Sequence, residues 1–427
     1  MSIAFTLCLL TLFLLAAIGM PIAHATIVGS IVYLAVKGQD LGIAGEQIIY
    51  GVYDSFVLLA VPLFIVAANF MNAGSISERL MRFCVALVGR FKGGLGYVNV
   101  LSSLIFSGMS GSAVADAAGI GKVDIDMMIK SGQYTRGYAA ALTAATATIG
   151  PIIPPSIPMV LYALVSDTSI GYLFLGGVVP GVLIALSLMV MNYIISRRRG
   201  FHADEVVPLR EIPSLTVRAF PALMMPVVLL WGIYNGATTA TEAAAVAAAY
   251  ALLVSAFLYR SISLRDMRRV LIDSGKSAAS VGLVIGGALI LNYVVAAEQI
   301  PAAIASAIQG VDVAPLVFML GVNLLLLGVG ALMTTGEAIL VLAPLLAPVA
   351  ESFGYDRVVF GVIMILNLEI GFLTPPVGLN LIVAMTAFKK PFGLLCRAAV
   401  PFILLMLLAL ALVVIEPRIA MYLVRGG

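Results

Sequence analysis

Charge is what this chain has least of. Its 427 residues include only 24 basic and 21 acidic side chains, and 62% are hydrophobic. A soluble domain carries about 25% charged residues. No single core can hide so much apolar surface, because cores stop growing at roughly 250–300 residues. The mean hydropathy of +1.12 points the same way, to a polytopic all-α protein of the lipid bilayer. Other scarcities close off further classes. A net charge of +3 leaves no basic stripe for nucleic acid, which is excluded as a partner. Cys8, Cys84 and Cys396 lie in or beside apolar runs without metal spacing, and His24 and His202 are too few for a metal cluster. No G-x-x-x-x-G-K-[ST] segment is present to bind ATP. No nucleophile–base pair or metal motif suggests an enzyme. What the chain has in excess is 41 glycines and 20 prolines, more than plain spanning helices use.

Residues 1–25 end in Ala23-His24-Ala25, which imitates a signal-peptidase site. No Lys or Arg precedes the apolar run, whereas a signal peptide starts basic. Ile3–Pro21 is therefore expected to be a first spanning helix. Runs of about 20 apolar residues, the length that crosses a bilayer, lie near 3–21, 23–36, 50–72, 137–165, 171–196, 218–235, 240–259, 277–296, 357–386 and 393–415. Two further blocks, about 94–130 and 313–351, are interrupted by glycine-containing pieces.

If those two blocks enter and leave by one face as re-entrant hairpins, the loops 73–93, 121–136, 197–217, 260–276 and 387–397 share a side. With Arg218, which adjoins its loop, that side holds 20 of the 24 Lys and Arg, including Arg197-Arg198-Arg199, Arg268-Arg269 and Lys389-Lys390. The other side keeps Lys37, Arg357, Arg418 and Arg425. The positive-inside rule makes the first set cytoplasmic. Each half, 50–196 and 277–427, then has three crossings and one hairpin, with two crossings between the halves. That parity sets the halves upside down relative to each other. The expected organisation is scaffold helices over 1–49, a first inverted repeat over 50–196, cytoplasmic loops with two connecting helices over 197–276, and a second repeat over 277–427.

Internal matches support the repeat. Gly150-Pro-Ile-Ile-Pro-Pro155 aligns with Gly371-Phe-Leu-Thr-Pro-Pro376 at an offset of 221, as Pro180 does with Pro401. Gly111-Ser112-Ala113 faces Gly336-Glu337-Ala338 at 225. Asn99 and Asn323 precede those glycines, and Asp54-Ser55 and Asp273-Ser274 open the halves. Inverted repeats with broken helices characterise secondary transporters.

The tips carry the chemistry. In Ser107-Gly-Met-Ser-Gly-Ser-Ala-Val-Ala-Asp116 the glycines Gly108 and Gly111 allow a turn, and Ser112 can cap the returning limb. A helix N-terminus inside the membrane suits a carboxylate. Met333-Thr-Thr-Gly-Glu-Ala338 repeats the design, although small residues at a helix contact would look alike. Pro154-Pro155 and Pro375-Pro376 deprive nearby carbonyls of helical donors. Water, a side chain, or a sodium ion held by carbonyl and hydroxyl oxygens could satisfy them. Ser110, Thr334 and Thr374 lie close enough in sequence to contribute. Asp116, one turn into the returning limb, is either a cap stabiliser or a ligand. Glu337, aligned with Ser112, breaks the symmetry and is a candidate substrate or proton contact. Glu369 reads as a backbone anchor, and Glu242 carries no motif.

These residues resemble the large membrane subunit of a tripartite ATP-independent periplasmic (TRAP) transporter, along essentially the whole chain, with the sialic-acid type nearest. The resemblance implies an elevator-type transporter, in which a transport domain of hairpins and broken helices slides through a scaffold, driven by inward Na⁺ flux. It implies a small four-helix membrane subunit as a separate chain, a periplasmic substrate-binding protein, and a small organic acid as substrate, in the bacterial inner membrane. It puts two sodium sites or more on the chain. One uses Ser110, Gly150, Ile153 and Pro155, and the second Thr334, Gly371, Thr374 and Pro376. Substrate is expected near Ser112, Ser156, Thr335 and Glu337, with Gly108, Gly111, Asp116 and Gly336 shaping the site. A stand-alone ion-coupled symporter of the same architecture is the alternative.

Overall fold

The computed structural model describes residues 2–54, 56–74, 76–204, 207–309, 314–386 and 392–425. Ser55, the Lys389-Lys390 pair and the first residue of the 313–351 block lie outside them. Among the described residues the chain is helical, with one isolated bridge pair, Lys92 with Ala203. Seven helices are long and apolar enough to cross a membrane.

The N-terminal part departs from expectation. α1 (Ile3–Ala17) and α2 (Ile22–Lys37) have 15 and 16 residues and pack against each other. At 1.5 Å per residue neither reaches across a core of about 30 Å, so Ile3–Pro21 is not one full spanning helix. Glu298 pins this hairpin to the rest of the molecule. It accepts the Ser2 hydroxyl at 2.7 Å, the Tyr33 hydroxyl at 3.0 Å and pairs with Lys37 at 2.7 Å. Lys37 first, then Ser2, hold its carboxyl down at about 2. The run 50–72 is divided as well. α3 (Gly42–Asp54) precedes a 3₁₀ turn, Phe56–Leu59, that leads into α4 (Ala60–Ala73).

The loop expected at 73–93 is mostly a helix, α5 (Ile76–Val88). Ile76, Leu80, Met81, Cys84 and Val85 form its buried stripe, opposite Glu78 and Arg82. The first hairpin follows as α6 (Gly94–Ser110), α7 (Ala113–Ala118) and α8 (Ile120–Lys130). The first broken helix is α9 (Arg136–Ala147) and α10 (Ile157–Ser166), and α11 (Ile170–Arg199) runs on through Pro180. α12 (Ile212–Tyr234) and α13 (Ala240–Leu253) connect the halves. α14 (Leu264–Ala297) has 34 residues, so the basic segment expected as a loop up to 276 is helical from Leu264 onward. Ser263 and Asp266 start it with a reciprocal cap.

The second half continues with α15 (Ile300–Gln309) and a hairpin of α16 (Pro315–Gly330) and α17 (Thr335–Ser352). Its broken helix is α18 (Arg357–Gly371) and α19 (Leu379–Thr386), followed by α20 (Phe392–Ile415) and the short α21 (Arg418–Met421). The order in both halves is spanning helix, short helix, hairpin, broken helix, long proline-containing helix. α4 and α14 touch through Asn69 and Ser274, at 2.9 Å. The halves also interlock. The returning limb α7 packs on α19, and the returning limb α17 packs on α10. One large apolar core runs through these elements, and a smaller one joins α1 and α2 to the end of α14.

Candidate functional site

The first tip is built by backbone geometry. Gly111 ends α6 at φ +62°, a region most side chains avoid, and its carbonyl accepts the Ile157 amide at 3.4 Å. A side chain there would come within 2.6 Å of the Pro155 carbonyl, so only glycine seats the tip on the break. Ser112 caps α7 by accepting the Ala115 amide, and Ser156 caps α10 by accepting the Met159 amide while donating to the Pro151 carbonyl at 2.5 Å. Two helix N-termini thus lie at one junction. The Pro154–Pro155 peptide is cis, as is Pro375–Pro376. Gly108 lies between α12 and this junction: a side chain there would meet Pro226 at 2.8 Å and come within 3.7 Å of the Pro154 carbonyl.

Asp116 lies between Ser110 and Gly150, two residues of the expected first sodium site. It is buried, accepts the Ser110 hydroxyl on Oδ1, and its Oδ2 fills the space where Gly150 would carry a side chain. Among the described residues that second oxygen has no hydrogen-bond partner. Ser110, Gly150 and Pro155 are therefore gathered around Asp116 and the tip. Ile153 stands on the same break, its amide bonded to the Ile149 carbonyl.

The second tip docks differently. The Val377 amide donates to the Ala331 carbonyl at 3.3 Å, so Ala331 meets its break as Gly111 meets the break at Ile157. The offset of 225 between Gly111 and Gly336 is thereby corrected. The cap Ser112 matches the cap Thr334, while Gly336 lies inside α17 against Leu161. Letter similarity misplaced the register because the turn is defined by the capping hydroxyl, not by the glycine. Glu337 consequently sits at the third position of α17, where its carboxylate accepts the Thr334 amide at 3.2 Å and hydroxyl at 2.8 Å. It does not stand opposite Ser112. Gly371 meets the backbone of Gly330 and Ala331, and the Thr374 hydroxyl donates to the Ile370 carbonyl at 2.9 Å. Thr334, Pro375 and Pro376 are exposed.

Thr335 is buried and donates to Glu369 at 2.7 Å. The other Glu369 oxygen is buried without a hydrogen-bond partner among the described residues. Glu369 thus repeats the situation of Asp116, with one oxygen on a hydroxyl. The sequence alone presents Glu369 as an anchor, since only the packing of α17 on α18 reveals Thr335 beside it.

Two polar clusters fix each hairpin to its broken helix. Asn99 on α6 donates to Thr143 and accepts from Thr146 on α9, both at 2.6 Å. Asn367 on α18 donates to Asn323 on α16 at 2.5 Å. Asn99 and Asn323 were legible as a pair, and their partners Thr146 and Asn367 stand 221 residues apart, a signal the sequence offered. Asp124, also unremarked, accepts from Ser102 at 2.9 Å and joins the limbs of the first hairpin. Glu242 simply completes the cap of α13 with Thr239. No Lys or Arg occurs between residues 93 and 121, 137 and 196, or 358 and 386. A bound anion in this region would meet helix N-termini and hydroxyls.

Comparison with known proteins agrees with this architecture. Residues 9–419 match the family described as "Tripartite ATP-independent periplasmic transporter, DctM component". The sialic acid TRAP transporter large permease protein SiaM of Vibrio cholerae is 40% identical over 406 residues, 95% of each chain. The C4-dicarboxylate TRAP transporter large permease protein DctM of Pseudomonas aeruginosa is 40% identical over 368 residues, 86% of each. Among solved structures, the Alcanivorax borkumensis YdaH transporter superposes with a TM-score of 0.61 over 90% of this chain and 88% of that one. At 13% identity that likeness concerns the fold alone.

Proposed function

The chain belongs to the DctM family of tripartite ATP-independent periplasmic transporters, a large permease of the inner membrane, and we propose that it drives uptake of a small organic monoacid with sodium. The observation that carries this reading is the pair of buried carboxylates. Asp116 and Glu369 each have one oxygen on a hydroxyl and one without a partner among the described residues, beside the two helix breaks. A bare carboxylate oxygen in a membrane interior is costly, and a monovalent cation offsets that cost. Hydroxyls and freed carbonyls supply the remaining hard oxygen donors that sodium accepts. Ser110, Gly150, Ile153 and Pro155 form the first site with Asp116. Thr334, Gly371, Thr374 and Pro376 form the second, with Glu369 nearby.

Substrate lies between the tips, near Ser112, Ser156 and Thr335. One carboxylate can rest on the N-termini of α7 and α10. A second has no cation to meet and two acids close by, which favours a polyhydroxylated monoacid of the sialic-acid kind over a dicarboxylate. Relatives of equal identity are named for both substrates, so the chemistry of the site, not overall similarity, supports this choice. Glu337 contributes a polar contact only if its cap with Thr334 opens.

The two halves act as inverted repeats, and their interlocked hairpins and broken helices move together as the transport domain. α1 to α4 and α12 to α14 form the scaffold, and the motion is that of an elevator. A periplasmic binding protein delivers substrate, and a separately encoded small membrane subunit completes the scaffold. The name large permease protein in relatives of matching length supports that division.

Proteoliposome uptake tests the reading. Transport is expected only with the small subunit, the binding protein and an inward sodium gradient all present. Uptake by the purified chain alone would overturn the tripartite requirement in favour of a stand-alone symporter. Uptake indifferent to sodium would overturn the coupling.

A further inference from the structure

Buried asparagines in this molecule are of two kinds. Asn99 makes two side-chain bonds at 2.6 Å, and Asn192 accepts the Tyr138 hydroxyl at 2.7 Å while donating to the Gly93 carbonyl at 3.2 Å. Asn367 keeps a free oxygen, but its amide is anchored twice on Asn323, at 2.5 and 3.0 Å. Asn380, the second residue of α19, is anchored by neither end. It is 0% exposed, its amide reaches the Ala144 carbonyl only at 3.5 Å, and its Oδ1 has no partner among the described residues. A settled N–H···O bond spans about 2.7–3.2 Å. A buried polar group left in this condition costs about 1–3 kcal/mol, so it calls for a ligand.

Its place in the fold says which one. α19 packs on α7 and on α9, and α7 packs on α9. α7 has only six residues, with Asp116 among them. The free Asp116 oxygen fills the space beside Gly150, and the Ala147 carbonyl lies 3.2 Å from the same spot. Ala144, which Asn380 approaches, is three residues earlier and so lies on the same face of α9. The Thr148 amide turns to the Ala145 carbonyl at 3.3 Å, which takes the regular donor from Ala144. Asp116 from the first half and Asn380 from the second, each with an unpaired oxygen, thus flank the end of α9 about one turn apart.

We propose that Asn380 belongs to the first ion site, where its Oδ1 joins the free Asp116 oxygen as a ligand of the cation. One residue from each half then holds the same ion. This assignment rests on the sodium coupling proposed above. Two acceptors without a donor between them repel, and a cation suits both. The amide oxygen adds a hard donor without adding charge, so one carboxylate still balances one monovalent ion. The backbone amide of Asn380 also donates to the Phe372 carbonyl inside the second break, at 3.2 Å. An ion on its side chain therefore orders both breaks, and occupancy in one half is felt in the other. A water molecule could donate to both oxygens instead, but sodium binding would then be indifferent to Asn380.

Thermal stabilisation of the purified chain, titrated with sodium against potassium at constant ionic strength, tests this without transport. Asn380→Ala, and Asn380→Leu, which fills nearly the same volume, should raise the sodium concentration for half-maximal stabilisation on the order of tenfold, equivalent to about 1.4 kcal/mol. Asn380→Asp keeps an oxygen in place without an amide to donate, and should keep the response. Combined with Asp116→Asn, the shift from Asn380→Ala should fall short of the sum of the two, because both act on one ion. Full additivity would put them at separate ions and overturn the shared site. A lowered melting temperature in the Ala and Leu variants with an unshifted sodium response would mean that Asn380 only packs. Should those two fail to accumulate, Asn380→Asp decides, since a folded Asp variant without a sodium response overturns the ligand role. A wild-type chain that sodium does not stabilise removes the coupling itself, whereas a stabilised wild type with unshifted variants removes only Asn380.

Discussion

The two broken helices carry the same glycine-to-double-proline signature and meet their surroundings in opposite ways. At the first, Pro154, Pro155 and Ser156 are buried under the tip at Gly111, and the hairpin lends a side chain, Asp116, to the space beside Gly150. At the second, Pro375 and Pro376 are exposed, Leu332 of the tip is 64% exposed, and the hairpin presents backbone to Gly371. The acid there comes from the broken helix itself, through Glu369. A repeated backbone device therefore does not fix which element supplies the polar groups. One half is sealed around its carboxylate, and the other leaves its break open beside one.

The sharpest way to break this comparison is to put a methyl group on each glycine. In Gly371→Ala the added carbon meets the Gly330 backbone at 2.5 Å, and main chain yields poorly. Destabilisation of about 1–3 kcal/mol or failure to accumulate is expected, read as melting temperature and yield. In Gly150→Ala the obstacle is the movable Asp116 carboxylate, so the fold should persist while sodium-driven uptake is lost. The reverse pattern would show that Asp116 packs and does not serve the ion. Next in size, Asp116→Asn and Glu369→Gln are each expected to weaken apparent sodium affinity on the order of tenfold, equivalent to about 1.4 kcal/mol. Thermal stability should hold or rise, because a poorly satisfied buried charge is removed. Sodium titration of uptake that shifts in only one variant would assign coupling to one half.

A smaller contrast lies in the anchors. Asn99→Ala takes the amide donor from the buried Thr143 hydroxyl and leaves Thr146 only its bond to the Thr143 carbonyl, and should cost about 1–3 kcal/mol. Asn323→Ala should cost less, since Asn323 is half-buried and loses one bond to Asn367. Chemical unfolding of the two variants measures the difference, and equal losses would mean that the open half is anchored as firmly as the sealed one.

Glycine and proline act on their own backbone, and so both hairpins, both breaks and the 221-residue offset could be read from sequence. Effects that depend on neighbours could not. α5 is short and carries three charges over Glu78–Arg82, which reads as a loop until its apolar stripe finds α6 and α12. Arg265, Arg268 and Arg269 hide the first turns of α14 for the same reason. Asp116 and Glu369 were visible as intramembrane acids, but their likeness rests on Ser110 and Thr335. Those hydroxyls come from a limb six residues back in one case and from another helix in the other. The register of the second tip failed because Gly336 looked like Gly111, while the structural equivalent of Gly111 is an alanine.

Glu337 provides the finest test of the asymmetry between the tips. Ser112 caps α7 with Ala115 at the third position, whereas Thr334 caps α17 with Glu337 there, in a reciprocal pair that the first tip lacks. A glutamate at this position bonds the Thr334 amide and complements the helix dipole. Glu337→Ala should therefore lower stability by about 0.5–1 kcal/mol, and Glu337→Gln, which can still accept from the Thr334 amide, by less. Neither should alter the substrate concentration for half-maximal uptake. A rise in that concentration with Gln, at unchanged stability, would instead mean that the carboxylate leaves its cap to meet substrate. The exposed tip would then be the half that reads the ligand, while the sealed one holds the ion.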